Sequence, residues 1–363
     1  MFTLNTKKSI FKALLTKNSP FYIQFYVSSR CNLRCRQCGI VQTNAGLREV
    51  SLADIEKIAD NLVNIGAGVV VLMGGEPFLR KDYPEIISIF INRKLDVRLQ
   101  TAGMKVATVE MLRACVDAGA KDINISLDSL DEDKQDYINN VPGSWDQAIR
   151  TIANVSNIFP RNDSLTSFGT VISAFNYAEI PAILEFATEI GWYVSLVPVH
   201  IATTEASMAY RSSDSTFLVK NDNFIELESV FTKLKEMRKA GYKLFDSTKY
   251  LDSALVFMKT NRPTWRTNGI CDSPGLYFVI RPDGDFAICA DHQFKNDPVS
   301  VMDKNFPRIY KSKKFRERVR EVTKHCLGCQ YGSYPEMSIS VRSISGIYER
   351  IKTALYVKGS GIK

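Results

Sequence analysis

The chain has 363 residues, of which 45% are hydrophobic and 24% charged, with a formal net charge of +8. A chain of this size and composition buries a sizeable core and has room for one large domain and a smaller one. No apolar run approaches the roughly 18 residues of a membrane span, and the N-terminus lacks the apolar stretch and small-residue cleavage site of a secretory signal. The expected compartment is therefore the cytoplasm, where thiols stay reduced.

Residues 1–20 carry four lysines and no acid, and Ile10, Phe11, Leu14 and Leu15 recur at helical spacing before Asn18-Ser-Pro20 stops the helix. Such a basic amphipathic arm suits either a cap on the fold or a membrane surface, peripheral to the lipid. Phe21 to Val27 then reads as a strand, and directly after it come Cys31, Cys35 and Cys38, separated by three and then two residues. A 4Fe-4S cluster normally takes four protein thiolates, so a set of three leaves one iron open to chemistry. Two other readings stand beside this one. A structural zinc site would need a fourth ligand from elsewhere, and a disulfide would leave one thiol over.

Past this loop, Ser51 with Asp54 three residues on marks a helix start, Ile55, Ile58, Leu62 and Ile65 form its apolar face, and Gly66-Ala-Gly68 ends it. Val69 to Met73 is a continuous aliphatic run, as a buried parallel strand requires. Strands follow near Val97–Thr101, Ile123–Leu127, Phe168–Ile172 and Tyr193–Pro198, with helices near 84–93, 109–118, 144–158 and 179–190. Six strand-helix units predict an α/β fold, a partial (βα)6 barrel with ligands at the carboxyl ends of its strands.

Polar residues gather at those ends. Gly74-Gly75-Glu76-Pro77 follows the second strand, where glycines permit close backbone approach and Glu76 can accept from an ammonium group. Thr101 ends the third strand. Alternation along the fourth turns Asn124, Ser126 and Asp128 to one face, which a buried strand does only if that face lines a cavity.

Residues 201–268 read as a linker region, with a loop over Ile201–Ser215, helices over Phe224–Lys239 and Tyr250–Lys259, and a polar stretch from Asn261 to Asn268. Gly275–Ile280, Arg281–Gly284 and Asp285–Ile288 spell a hairpin. Around it lie Cys271, Cys289, Cys326 and Cys329, a set that admits a four-thiolate zinc ribbon or a second iron-sulfur cluster. Cys115 sits in an apolar helical pattern and reads as core. His292 and His325 stand near this second group and are given no role, because a lone histidine is more often structural. Nine basic residues between Lys304 and Lys324, against Glu317 and Glu321, form a patch that reads as a solvated helix face. Ile344, Ile347, Tyr348, Ile351 and Leu355 give the tail a helical apolar face among basic residues.

The Cys31/Cys35/Cys38 loop after a first strand, with Gly74–Pro77 after the second, resembles the radical SAM superfamily. Two positions depart from its pattern. Gln37 stands where an aromatic residue commonly precedes the third cysteine, and Asn139 and Asn140 stand where an Arg often precedes the Pro-Gly-Ser-aromatic helix start that Val141–Trp145 resembles. The resemblance implies a 4Fe-4S cluster on Cys31, Cys35 and Cys38, and S-adenosyl-L-methionine bound by Gly74, Gly75, Glu76, Pro77, Thr101, Ser126 and Asp128. The spacing of Cys271, Cys289, Cys326 and Cys329 resembles the twitch form of the SPASM extension, which implies a second 4Fe-4S cluster in a small α+β domain.

The expected organisation is a basic arm over 1–20, the barrel over 21–200, a helical linker region over 201–268, a twitch/SPASM-like domain over 269–335 and a basic amphipathic tail over 336–363. The resemblance implies an enzyme that forms a 5′-deoxyadenosyl radical and oxidises a small or medium polar substrate, with an electron donor such as flavodoxin or ferredoxin. A peptide-modifying enzyme and one acting on a lipid-linked substrate are the alternatives within the superfamily. An iron-sulfur or zinc module binding RNA is disfavoured, since a binding module has no need of Gly74–Pro77. No residue is singled out as the catalytic acid or base.

Overall fold

Six parallel strands, β1 (Tyr22–Ser28), β2 (Val69–Gly74), β3 (Asp96–Thr101), β4 (Asp122–Ser126), β5 (Thr166–Ile172) and β6 (Tyr193–Pro198), lie side by side in the order β6-β5-β4-β3-β2-β1. They belong to a computed structural model that describes residues 2–201, 211–266, 271–294 and 296–359. Before β1 runs helix α1 (Leu4–Thr16). Between the strands come the short α2 (Ile40–Thr43), then α3 (Leu52–Ile65), α4 (Tyr83–Asn92), α5 (Val109–Asp117), α6 (Glu132–Asn139), α7 (Ser144–Ile158) and α8 (Ile180–Glu189). After β6 follow α9 (Phe224–Lys239) and α10 (Thr248–Thr260).

Local chemistry sets these boundaries. Ser51 accepts from the Asp54 amide at 3.2 Å and donates to its carboxylate at 2.8 Å, capping α3, and Gly66 at φ +82° ends it. The β2 side chains are buried throughout, whereas β3 alternates, with Val97 and Leu99 buried and Arg98 and Gln100 on the cavity inside the barrel. Cys115 is fully buried in the core, as its pattern suggests. Helix α6 has no counterpart in the sequence reading. It is capped by Asp131, which accepts from the Lys134 amide at 3.0 Å, but too few of its residues are apolar to mark a face.

The C-terminal part is joined more closely to the barrel than its expected boundary at residue 269 implies. Strand β7 (Tyr277–Ile280) pairs parallel with β1, Tyr22 opposite Tyr277 through Phe25 opposite Ile280, and β8 (Phe286–Ala287) returns antiparallel beside it. One eight-stranded open sheet results. The physical reason is that β1 would otherwise present an unpaired edge. Helices α11 (Phe306–Lys311) and α12 (Lys313–Thr323) pack below the hairpin through Phe306, Tyr310 and Phe315.

The expected tail over 336–363 is in fact two helices, α13 (Ser333–Arg342) and α14 (Ile344–Gly359). Helix α13 is no basic tail but a wedge between β6, at the edge of the sheet, and β1, which pairs with β7 on its other side. Its Tyr334 hydroxyl donates to Gln24 of β1 at 2.5 Å, and just before it Gln330 shares the Tyr250 hydroxyl with Leu196 of β6. Seven of its ten residues are buried, so its helical pattern is hidden in what looks like a polar segment.

Candidate active site

A cavity of about 1070 Å³ runs the length of the barrel, from the loop after β1 to the strand starts. Cys31, Cys35 and Cys38 all line its upper end. Burial pushes the Cys38 thiol up to about 12 and Cys35 well above the ordinary thiol range, with Cys31 and Cys38 adding to the rise at Cys35. The three sulfurs are therefore close enough to repel as thiolates, a cost that a bound cation removes. The Leu33 amide already points at the Cys31 sulfur at 3.4 Å.

The loop is held from below by Glu49, which no local sequence pattern marks. Its carboxylate accepts from the Ser28 hydroxyl at 2.8 Å, the Ser29 amide at 3.0 Å and both the Nε and Nη2 of Arg30. Gly74 and Gly75 meet the same loop. A Cβ at Gly74 would lie 2.4 Å from the Ser28 carbonyl oxygen and one at Gly75 2.0 Å from that of Arg30. Only glycine lets the end of β2 touch the cysteine loop, and the Gly75 and Glu76 amides donate to those same carbonyls at 3.0 and 2.8 Å.

Gly74, Gly75, Pro77, Thr101, Ser126 and Asp128 all line the cavity. Glu76 is fully buried instead, and its carboxylate accepts from the Phe78 amide at 3.1 Å, the Ala102 amide at 2.8 Å and the Thr101 hydroxyl at 3.0 Å. Burial raises it to about 7 against the pull of those donors. In this arrangement Glu76 ties the ends of β2 and β3 together. Asp128 accepts from the Val171 amide and from Gln37, both at 2.7 Å, and burial lifts it to about 6. Asn124 faces the same space and donates to Ser167 at 2.9 Å, as the polar alternation along β4 predicts.

Gln37 is 9% exposed, and its amide oxygen is buried with no hydrogen-bond partner while its nitrogen is held by Asp128. An orphaned acceptor on a cavity wall costs free energy until a donor arrives. An adenine amino group is such a donor, so this corner fits a nucleoside without the aromatic residue that Gln37 replaces. Three converging thiols and this acceptor are the features by which the pocket fits an iron-sulfur cluster and S-adenosylmethionine.

The second cysteine group is also brought together. Cys271 is raised by burial and by Cys326, Cys289 by burial, Cys329 and Cys271, and Cys329 by burial, Cys271 and Cys326, so the four thiols lie within electrostatic reach of one another. Tyr277 lies 3.1 Å from the Cys271 sulfur through its hydroxyl, and the Gly328 amide points at Cys326 at 3.3 Å. The group is one residue behind the cavity wall, to which Ala290, Tyr331 and Tyr334 contribute. Among the described residues, no three His, Cys, Asp or Glu side chains surround a single-ion site.

His200, Arg211, Asp291 and Tyr331 were not singled out in the sequence. His200, 2% exposed, has Nδ1 2.8 Å from the Pro198 carbonyl, accepts from the Gln330 amide at Nε2, and is held neutral, near 3, by burial. The Arg211–Asp291 ion pair at 2.8 Å, with Tyr331 donating to Asp291, braces the wall beside Cys289. The segment 202–210, within the expected loop over 201–215, and residues 267–270 lie outside the described residues.

Residues 25–187 match the Radical SAM superfamily. The chain carries a radical SAM domain. Such a domain implies S-adenosylmethionine and a 4Fe-4S cluster. Among curated relatives, the AdoMet-dependent heme synthase of Methanosarcina barkeri is 29% identical over 177 residues, 48% of this chain and 49% of that one. The GTP 3′,8-cyclase of Marinobacter nauticus is 33% identical over 180 residues, 46% of this chain and 50% of that one. The chain thus spans about half the length of these relatives. In fold, the likeness to solved structures extends further. SuiB of Streptococcus suis bound to S-adenosylmethionine superimposes with a TM-score of 0.62 at 16% identity, covering 94% of this chain and 79% of SuiB. SuiB bound to the precursor peptide SuiA gives 0.61 at 17%, covering 86% and 70%.

Proposed function

We propose that the chain is a radical SAM enzyme that oxidatively modifies a peptide. The observation that carries this reading is the convergence of Cys31, Cys35 and Cys38 on the same cavity as Gly74, Gly75, Pro77, Thr101, Ser126 and Asp128. When bound there, cluster and S-adenosylmethionine supply a 5′-deoxyadenosyl radical able to take hydrogen from an unactivated carbon. The protein's part is to hold the cysteine loop through Glu49, to join β2 to β3 through Glu76, and to close the pocket with Gln37 and Asp128. Cys271, Cys289, Cys326 and Cys329 would hold a second 4Fe-4S cluster, which supplies an electron acceptor behind Tyr331 and Tyr334.

The cavity favours a peptide over a nucleoside triphosphate. Its upper end is walled by Gln100, Asn124, Ser126 and Tyr331, while the lysines and arginines on its wall are Lys7, Lys94, Arg98, Lys121 and Arg350, at the strand starts or on α1 and α14. None of these cavity-lining cations stands beside the cysteines, and Arg34 of the cysteine loop is taken up by the Cys31 and Leu33 carbonyls. Amides and hydroxyls suit peptide groups, and SuiB, whose fold this chain shares, has been seen with a precursor peptide. The test is product analysis by mass spectrometry after incubation with dithionite, S-adenosylmethionine and either a peptide library or GTP. The reading predicts 5′-deoxyadenosine together with a peptide two mass units lighter, roughly the loss of two hydrogens. Turnover of GTP with no change in any peptide would overturn the substrate class and leave the radical chemistry intact.

A further inference from the structure

Helix α1 is turned inside out. Its buried residues are Thr6, Ser9 and Ala13, and the hydroxyls of Thr6 and Ser9 donate to the carbonyls of Gly68 and Gly66 at 2.9 and 2.6 Å. Three of its five large apolar residues face out: Leu4 is 66%, Phe11 63% and Leu15 68% exposed. An amphipathic helix that folds onto its own protein does the reverse.

The same feature recurs on α14, where Ile344, Tyr348 and Ile351, spaced four and three apart, are 89%, 67% and 55% exposed. Of the eight large hydrophobic side chains more than half exposed among the described residues, six lie on these two helices. Both helices border the lower end of the cavity, through Ile10 and Leu14 of α1 and Ile347 and Ile351 of α14. Scattered apolar residues need no explanation, but a cluster of this kind marks a surface that something covers.

We propose that this surface rests on an anionic lipid membrane. The choice of occupant follows from charge. Lys8 and Lys12 are exposed between Leu4, Phe11 and Leu15 on α1, with Lys7 beside them, and no acid occurs in residues 1–20. Apolar side chains interleaved with lysines match an interface where acyl chains lie beneath anionic headgroups. A second copy of this chain, meeting the patch face to face, would bring like charges together. Lys94 and Lys121 are exposed at the same end of the cavity, whereas the acids there, Asp96 and Asp122, already accept from the Thr3 and Leu165 amides. Asp163 is a further exposed acid on the cavity wall, while Glu336 pairs with Arg350 at 2.7 Å and Asp246 accepts from the Leu196 amide at 2.6 Å.

Co-sedimentation of the full chain with vesicles tests the proposal. Phosphatidylcholine vesicles containing phosphatidylglycerol should carry the protein down at low salt, vesicles of phosphatidylcholine alone should not, and binding should fall as salt is raised. The pair Phe11→Asp with Leu15→Asp should weaken binding by roughly tenfold or more, and so should Ile344→Asp with Tyr348→Asp. Ile225→Asp changes a side chain that is 83% exposed on α9 and should leave binding as it was. A thermal melt of each variant checks that it is folded. Equal recovery in the supernatant with and without anionic vesicles overturns the proposal, as does equal weakening by Ile225→Asp. A dimer that Phe11→Asp disperses, with no vesicle binding, would assign the surface to a second copy instead.

Discussion

The Gln37 side chain donates to Asp128 at 2.7 Å across the top of the barrel, joining the cysteine loop to the end of β4. Both residues are buried on the cavity wall, and the second Asp128 oxygen is held by the Val171 amide. Gln37→Ala leaves a buried carboxylate oxygen without its donor, so the variant should lose about 1–3 kcal/mol of stability, read from the urea midpoint. It should also bind S-adenosylmethionine more weakly, because the orphaned amide oxygen of Gln37 would be gone.

Glu76 is the next most informative side chain. From the sequence it is an acceptor for an ammonium group, whereas in the folded chain its oxygens meet Phe78, Thr101 and Ala102. Glu76→Ala therefore frees two buried amides and a hydroxyl at once. We expect a loss of about 2–3 kcal/mol and weaker S-adenosylmethionine binding, with the iron of the Cys31 group retained. If the variant melts like the parent and only the cofactor is lost, Glu76 contacts the cofactor directly.

Asp246 links stability to pH. Burial, and then Glu336 nearby, raises its carboxyl to about 8, against the Leu196 amide that donates to it at 2.6 Å. The folded chain then keeps a proton that the unfolded chain releases near 4, so stability falls as pH rises from about 4 to about 8. Asp246→Asn keeps an acceptor for Leu196 and cannot ionise. Its melting temperature should gain on the parent as pH rises through that window, and a constant difference from pH 4 to 8 would contradict the assignment.

The sequence shows the six barrel strands to within two residues, because buried parallel strands are unbroken aliphatic runs and the alternation of β4 exposes its lumen face. It also shows both cysteine groups, since each depends on spacing. What it hides is made by distant contacts. The pairing of β7 with β1 depends on an edge that only the assembled sheet presents. Helix α13 is legible as a wedge only when β1 and β6 are seen to stand apart. Glu49 and Gln37 meet their partners across 20 and 91 positions in the chain, and no local pattern marks either.

The two cysteine groups make separable predictions. Anaerobic reconstitution should give about eight irons per chain, falling to about four when Cys31, Cys35 and Cys38 are all replaced by Ala, and likewise when Cys271, Cys289, Cys326 and Cys329 are. Tightly bound zinc with only about four irons in the unaltered chain would assign the second group to zinc.

We propose that the three thiols after β1 hold a cluster with one open iron beside Gly74, Gly75 and Pro77. The most direct measurement is the yield of 5′-deoxyadenosine from reconstituted protein given dithionite and S-adenosylmethionine. Steady formation is expected from the unaltered chain and from the Cys271→Ala variant, and none from Cys35→Ala. A fully loaded chain that forms no 5′-deoxyadenosine, or a Cys35→Ala variant that forms as much as its parent, would contradict it.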